Sequence, residues 1–206
     1  MLHPTLQATA ESLVLQFDQL PTERKTLLTE LTRFVQQSPA GQPVYLNFIC
    51  THNSRRSHLG QVWAQIAAHY YGVIPVKTFS GGTEATAMHA NTVQALIRAG
   101  VRVLKKEDGD NPVYELAYDD DVAPMNCFSK VYHHETNPAK EFAAIMTCSD
   151  AEENCPFIPG VDLRIATTYE DPKISDGTSQ QDETYDERCA QIARECLWVM
   201  SQVRKV

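Results

Sequence analysis

The sequence contains no long hydrophobic run and no concentrated basic patch. No stretch approaches the roughly 20 apolar residues that a membrane-spanning helix needs. No positively charged N-terminal stretch leads into an apolar one, so we expect no signal peptide. Basic residues never run beyond adjacent pairs, and the net charge is −8. Nucleic-acid binding needs a concentrated positive surface, so this composition disfavours it. We therefore expect a soluble, cytoplasmic protein that binds neither nucleic acid nor membranes.

The composition is that of a globular chain with several free thiols. Its 206 residues are 43% apolar and 21% charged, which suits one compact domain with a normal core. Because we expect no secretion signal, most cysteines should be thiols. Those in unusual surroundings are candidates for catalysis, redox chemistry or metal binding. The six cysteines are Cys50, Cys127, Cys148, Cys155, Cys189 and Cys196.

Short apolar segments alternate with segments of helical periodicity over most of the chain. This alternation predicts an α/β fold with a doubly wound parallel sheet. Residues 1–42 are different: they read as two helices and a loop that contains proline and glycine. We therefore predict an N-terminal helical extension over 1–42 and a second domain over 43–206. Strands are predicted at 44–49, 76–80, 113–117 and 142–147, and later helices at 57–71, 91–98 and 184–203.

The connection after the first predicted strand carries a cysteine and an arginine six residues apart. Cys50 ends the strand and Arg56 opens the helix. Ligands of open α/β sheets bind at the carboxyl ends of strands, where loop N–H groups and a helix N-terminus attract an anion. These surroundings also lower the pKa of a thiol. The loop therefore predicts a cysteine nucleophile for a tetrahedral oxyanion. The alternative is a buried structural cysteine beside two solvated arginines.

Other residues of this loop have matching chemistry. The forked guanidinium of Arg56 can bind two oxygens of a tetrahedral oxyanion. Ser57 can hydrogen-bond the thiolate, and Asn53 can fix the loop by bonding its backbone. The predicted oxyanion site consists of Thr51, His52, Asn53, Ser54, Arg55 and Arg56.

Three stretches of the chain resemble the low-molecular-weight protein tyrosine phosphatases and the thioredoxin-coupled arsenate reductases built on their fold. They are residues 48–57, Ser80-Gly81-Gly82-Thr83-Glu84 and Glu170-Asp171-Pro172. The resemblance covers most of 44–206 apart from an insertion near 105–140. Residues 1–40 have no counterpart in the simplest members. The resemblance implies a low-molecular-weight phosphatase-like catalytic domain in which Asp171 is the general acid.

Residues 146–156 resemble the redox segment of the arsenate reductases. Cys148 and Cys155 lie seven positions apart, as in that family, whereas simple phosphatases lack the pair. The sequence between them is polar and turn-like, so we expect a mobile, exposed segment. The alternative is two core cysteines near a strand end.

The resemblance implies a relay of three cysteines. Cys50 would attack arsenate while Asp171 protonates the leaving oxygen. Cys148 would then attack Cys50 and release arsenite, and Cys155 would take over Cys148 in a final disulfide. We expect an arsenate- or phosphate-type substrate, a thioredoxin-like dithiol as reductant, and no tightly bound cofactor or metal.

Two other functions stay open. A phosphatase of the same fold would need only Cys50, Arg56 and Asp171, and would pass through a phosphocysteine intermediate. Lys173 weakens this reading, because tyrosine phosphatases often carry an aromatic residue after the aspartate-proline pair. A non-catalytic oxyanion-binding protein would use the loop without turnover.

Several positions depart from the family pattern. His52 replaces a glycine, which would be strained if the position needs a positive φ. Arg55 replaces a cysteine; it could strengthen anion capture, but we expect it to point to solvent. In members that bind potassium, Asn53 would be one ligand, but Gln61 stands where an acidic ligand is expected. We therefore do not expect bound potassium.

The remaining cysteines and histidines give no further site. Cys127 and the histidine pair at 133–134 do not fit the spacing of a standard zinc site, so a surface loop is the expected structure there. Cys189 and Cys196 fall on one face of the last predicted helix, which indicates core packing.

Overall fold

A four-stranded parallel sheet forms the centre of the protein. The computed structural model describes residues 1–39, 41–73, 75–154 and 157–204. The elements in chain order are α1 (Pro4–Val14), a 3₁₀ turn (Phe17–Gln19), α2 (Thr22–Gln37), β1 (Val44–Cys50), α3 (Arg56–Tyr71), β2 (Val76–Gly82), α4 (Ala90–Arg98), β3 (Arg102–Glu107), β4 (Val113–Ala117), β5 (Met125–Cys127), β6 (Phe142–Met146), α5 (Ser149–Asn154), β7 (Val161–Ala166), a 3₁₀ turn (Pro172–Ser175) and α6 (Gln181–Ser201). The sheet order is β2-β1-β6-β7, and every neighbouring pair is parallel.

Alternate residues of the central strands build a core on each face of the sheet. Leu46 and Phe48 of β1 belong to the larger core, which also includes side chains of α3 and α6. Ile49 of β1 and Ala144 of β6 belong to a smaller core on the other face. Strands covered on both faces are expected to be apolar throughout, and β6 is entirely so. The predicted α/β fold with a parallel sheet is confirmed.

Strands β3, β5 and β7 and helix α5 were not predicted from the sequence. Strand β7 pairs with β6 at the edge of the sheet, and its two charged residues, Asp162 and Arg164, hide the apolar pattern of a strand. Helix α5 lies in the segment expected to be an exposed turn. None of the helices in the described ranges is long and apolar enough to cross a membrane.

The stretch between α4 and β6 forms a second, antiparallel sheet of order β3-β4-β5, and it contacts the central sheet through two glycines. A Cβ at Gly81 would lie 2.3 Å from the Cα of Tyr132, so this position has no room for a side chain. Gly82 N–H donates to the Lys130 carbonyl and Tyr132 N–H donates to the Gly82 carbonyl, both at 2.8 Å. We call residues 129–132 the brace segment.

Both N-terminal helices pack into the main core. Leu6 of α1 and Leu28 of α2 are at most 2% exposed, and both belong to the same apolar cluster as Leu46 and Phe48 of the central sheet. The two helices lie against α6. Folding of the extension is therefore coupled to that of the remaining chain.

Shortening Leu28 should destabilise the whole protein. We expect Leu28→Ala to lower the free energy of unfolding by about 2–5 kcal/mol, because a buried leucine loses its contacts and leaves a cavity. Leu15→Ala is the matched control: Leu15 is 84% exposed and should change stability by less than about 0.5 kcal/mol. Urea denaturation followed by circular dichroism measures both. Equal effects would show that the extension is not part of the core.

Candidate active site

Cys50 ends β1 and lies beside the first turn of α3. Its thiol is 4% exposed, and its Sγ lies 3.0 Å from Ser57 Oγ. Asn53 Nδ2 donates to the same Ser57 oxygen at 2.8 Å. Because Ser57 accepts from Asn53, its own hydroxyl hydrogen is available to Cys50. The structure thus places a hydroxyl donor directly beside the Cys50 thiol.

The second bond of Asn53 fixes its orientation. Its Oδ1 accepts from the Lys130 N–H of the brace segment at 2.9 Å. Asn53 has a φ of 44°, in the left-handed region that asparagine tolerates better than most residues. His52 does not have a positive φ, so the strain considered for that position does not arise. Its side chain instead lies 2.9 Å from Glu84 in an exposed pair.

The carbonyl groups of the loop at 50–55 are held away from its centre. The Thr51 carbonyl accepts from Glu84 N–H, and the Ser54 carbonyl accepts from His89 N–H, both at 3.0 Å. The His52 carbonyl accepts from Ser129 Oγ at 2.9 Å. The backbone N–H groups of residues 51–55 donate no hydrogen bond to the described residues, apart from any bond within helix α3 itself. A loop with bonded carbonyls and free N–H groups is suited to bind an anion.

Arg56 and Asp171 meet at this loop. Arg56 donates from Nη2 to Asp171 Oδ2 and from Nη1 to the Tyr169 carbonyl, both at 2.7 Å. Its buried Nε has no partner among the described residues. Asp171 caps the start of the 3₁₀ turn, where its side chain accepts from Lys173 N–H at 3.1 Å. The general-acid candidate and the oxyanion-binding candidate are thus in direct contact.

Cys148 follows β6 and lies at the same end of the sheet. Its Sγ is 3.5 Å from Thr51 Oγ1, and it shares a buried cluster with Cys50. Thr147 ties the two strand ends together, because its N–H donates to the Ile49 carbonyl at 2.7 Å. The structure therefore brings the second predicted cysteine to the nucleophile loop. Cys155 lies outside the described residues.

The segment after Cys148 is a short helix and not the turn that we expected, although Ser149, Asp150 and Glu153 are exposed as expected. Residues 149–154 form α5, and Cys148 and Ala151 are at most 1% exposed. Ala151 N–H lies 3.4 Å from Cys148 Sγ, and Glu152 accepts from Arg164 of β7 at 2.6 Å. The polar composition was misleading, because one small apolar residue is enough to seat this short helix.

Arg55 does not point to solvent, as we had expected. Its Nε donates to Tyr185 Oη at 2.7 Å and its Nη2 to Asp176 at 3.1 Å. Its Nε also lies 3.9 Å from Asp171. Burial alone would raise the pKa of Asp176, but the Tyr185 hydrogen bond and the Arg55 charge lower it overall. Arg55 therefore connects the general-acid candidate to a second carboxylate on the same 170s segment.

Two buried basic residues beside the loop were not found from the sequence. His58 is fully buried, with Nδ1 3.3 Å from Ser80 Oγ. Burial, aided by the charge of Lys130, lowers the pKa of His58 to about 3. Lys130 is 5% exposed and packs on the Phe128 ring at 4.6 Å. No local motif marks either residue, because their contacts join distant parts of the chain.

The other described cysteines are core thiols. Burial raises the pKa of Cys127 and of Cys189 to about 12, and that of Cys196 even further. Cys189 accepts a hydrogen bond from Trp63 Nε1 at 3.1 Å, in agreement with the predicted core packing. Cys127 lies in β5 and not on the expected surface loop. Among the described residues, no group of three or more histidine, cysteine or acidic side chains is arranged to hold a metal ion.

His58 should make the stability of the protein depend on pH. The folded protein keeps His58 neutral down to a pKa of about 3, whereas the unfolded chain binds this proton near pH 6.5. Stability from this group is present above pH 6.5 and is lost as pH falls towards 3. Between pH 7 and pH 5 we expect wild type to lose about 2 kcal/mol more than His58→Gln.

Urea unfolding at both pH values measures this difference. His133→Gln, which removes an exposed histidine, should retain the wild-type pH dependence. An unchanged pH dependence in His58→Gln would contradict the assignment of a neutral, buried imidazole.

The chain is similar in sequence and in fold to several known proteins. No protein-family model matches the chain. The arsenate reductase of Bacillus subtilis (strain 168) is 27% identical over 141 residues, which cover 68% of this chain and 83% of that protein. A solved arsenate reductase in the phosphate binding state superposes with a TM-score of 0.53 at 16% identity, over 78% of this chain and 99% of the other.

A mutant of YwlE from Bacillus subtilis superposes with a TM-score of 0.52 at 15% identity, over 79% of this chain and 99% of the other. At such low identities the solved structures establish the fold alone. The similarity in sequence rests on the arsenate reductases, which are 25% and 27% identical to this chain. The resemblance predicted from the motifs is confirmed. The chain has the low-molecular-weight phosphatase fold, and its sequence is similar to those of arsenate reductases.

Proposed function

We propose that the protein is an arsenate reductase that works through a relay of Cys50, Cys148 and Cys155. The observation that carries the proposal is the position of Cys148, whose Sγ lies 3.5 Å from Thr51 Oγ1, on the residue next to Cys50. Hydrolysis through Cys50, Arg56 and Asp171 does not require a second thiol at this place. The similarity to arsenate reductases supports the same reading.

In the first step, the loop would bind arsenate and Cys50 would attack the arsenic. The free N–H groups of the loop and the unpartnered Nε of Arg56 are donors for the oxyanion. Arsenate would also compete with Asp171 for the Arg56 guanidinium. A carboxylate that loses its cation holds a proton more readily. Asp171 could then give that proton to the departing oxygen, which leaves as water while the S–As bond forms.

In the second step, the Cys148 thiolate would attack Cys50 Sγ. The S–As bond breaks and its electron pair passes to arsenic, so As(V) is reduced to As(III) and leaves as arsenite. The two cysteines are oxidised to a Cys50–Cys148 disulfide. Thr51 Oγ1 and Ala151 N–H, at 3.5 and 3.4 Å from Cys148 Sγ, can stabilise the attacking thiolate.

In the third step, Cys155 would attack Cys148 and restore Cys50 as a thiolate. The resulting Cys148–Cys155 disulfide would be reduced by an external dithiol of the thioredoxin type. Cys148 is buried in the described structure, so α5 must shift before a protein reductant can reach it. Thiols that cycle in this way fit a reducing, cytoplasmic location.

A phosphatase activity of the same site is the second candidate. The contact between Arg56 and Asp171 at 2.7 Å joins the oxyanion-binding and acid groups that hydrolysis needs, and it involves neither Cys148 nor Cys155. Phosphate and arsenate are close in shape, so one loop can accept both. Hydrolysis would proceed through a phosphocysteine at Cys50 that water resolves.

Replacing Cys155 should allow a single turnover but prevent further ones. Cys155→Ser should produce about one arsenite per chain and then stop with a trapped Cys50–Cys148 disulfide, because no thiol remains to resolve it. Arsenite release with thioredoxin, and mass spectrometry of the product, measure this result. Cys127→Ala, which removes a core thiol, should sustain turnover. Sustained turnover by Cys155→Ser would exclude the relay.

A side-by-side assay tests the two activities against each other. Cys148→Ser should lose arsenate reduction but keep any hydrolysis of an aryl phosphate, such as para-nitrophenyl phosphate, within about twofold of wild type, because only the relay uses that thiol. Cys50→Ser should abolish both activities. A protein that fails both assays in wild-type form while still binding phosphate would be a non-catalytic oxyanion binder.

A further inference from the structure

A polar cavity separate from the Cys50 loop lies between the N-terminal helices and α6. It has a volume of about 570 Å³ and is also lined by Thr168, three residues before Asp171. Three guanidinium groups and two carboxylates line it, so its lining carries a net charge of +1 in a chain of −8. We call this cavity the arginine pocket after Arg24, Arg188 and Arg194.

Two of these arginines are held mainly by neutral oxygens. Arg194 Nη1 donates to the amide oxygens of Gln16 and Gln19, at 2.8 and 3.0 Å. Arg188 donates to the amide oxygen of Gln191, and Glu170 lies 3.6 Å away with its side chain 94% exposed. Burial, followed by the repulsion from Arg56, outweighs the nearby carboxylates and lowers the pKa of Arg188. Both cations are thus incompletely compensated.

Arg24 is held differently and sets the floor of the pocket. Its Nη2 donates to the Thr167 carbonyl at 2.6 Å and pairs with the buried Glu195 at 2.9 Å. Its guanidinium stacks on the Tyr169 ring at 4.9 Å. The Nε atoms of all three arginines are buried and have no partner among the described residues. Burying a donor unpaired is unfavourable, so these three guanidinium groups have hydrogen-bonding capacity that the described residues do not fill.

From this donor set we infer that the arginine pocket binds a small polyanion that carries two or more phosphate or carboxylate groups. Planar guanidinium groups bind both kinds of oxyanion through paired N–H donors. The cavity volume is within the range of small-molecule sites and far exceeds the space that one arsenate ion fills. The glutamine amides of Gln16, Gln19 and Gln191 add neutral donors, which suits an anion and not a cation.

The N-terminal extension is what makes this pocket. Gln16, Gln19 and Arg24 all belong to the extension, whereas Arg188 and Arg194 come from α6. The pocket is therefore expected only in chains that carry these two helices. None of its arginines contributes to the relay, so this inference does not depend on the proposed function.

The test is a calorimetric titration of full-length protein with citrate and with inorganic pyrophosphate. It is done in an Arg56→Gln background, which weakens anion binding by the Cys50 loop because the loop loses its guanidinium group. We expect one probe molecule per chain, binding that weakens with added salt, and roughly tenfold weaker binding when Arg194→Gln is added. Arg102→Gln removes an equal charge from a residue 60% exposed in the second sheet, and it should leave affinity unchanged.

A second measurement uses wild type and needs no variant to fold. Side-chain Nε–H resonances of Arg24, Arg188 and Arg194 should shift in ¹H–¹⁵N spectra as either probe is added, while those of Arg102 stay fixed. Binding of either probe with these responses supports the pocket. Failure of both probes to bind, or equal affinity in the Arg194→Gln and Arg102→Gln proteins, would overturn it.

Discussion

The geometry of the Cys50 loop depends on two hydrogen bonds made by the buried side-chain amide of Asn53. Asn53 donates to Ser57 Oγ, which lies against Cys50, and accepts from the Lys130 N–H of the brace segment. Asn53 has a left-handed backbone, and the neighbouring carbonyls of Thr51, His52 and Ser54 all accept hydrogen bonds from outside the loop. Without this residue, the nucleophile, its hydroxyl partner and the anion donors would no longer share one orientation.

The insertion that contains the second sheet contributes no catalytic candidate, but it holds the Cys50 loop in place. Its brace segment supplies the Lys130 N–H to Asn53 and the Ser129 hydroxyl to the His52 carbonyl. The close approach of Tyr132 to Gly81 fixes the segment against β2. The insertion thereby supports the loop, while the N-terminal helices pack on α6 in the same core that contains Leu116 of β4. Both additions to the fold are structural parts of one body.

Local chemistry could be predicted from the sequence, and long-range contacts could not. Cys50 and Arg56 were found because a strand, a loop and a helix start lie within a few residues, and Asp171 and Cys148 because motifs mark them. Arg55 was misjudged because its partners, Tyr185 and Asp176, are more than 120 residues away. The α5 segment was misjudged for a different reason, since the burial of Ala151 outweighs its polar neighbours.

The absence of room for a side chain at Gly81 limits how the loop at 50–57 can be transferred to another protein. Even a methyl group there would collide with the Tyr132 backbone, so the glycine and the insertion constrain each other. A graft of residues 50–57 alone into another protein would leave Asn53 without its second partner. The loop, the glycine pair at 81–82 and the brace segment are separate in sequence but depend on one another in the structure. Recombination that exchanged only one of them would therefore disrupt the conformation of the loop.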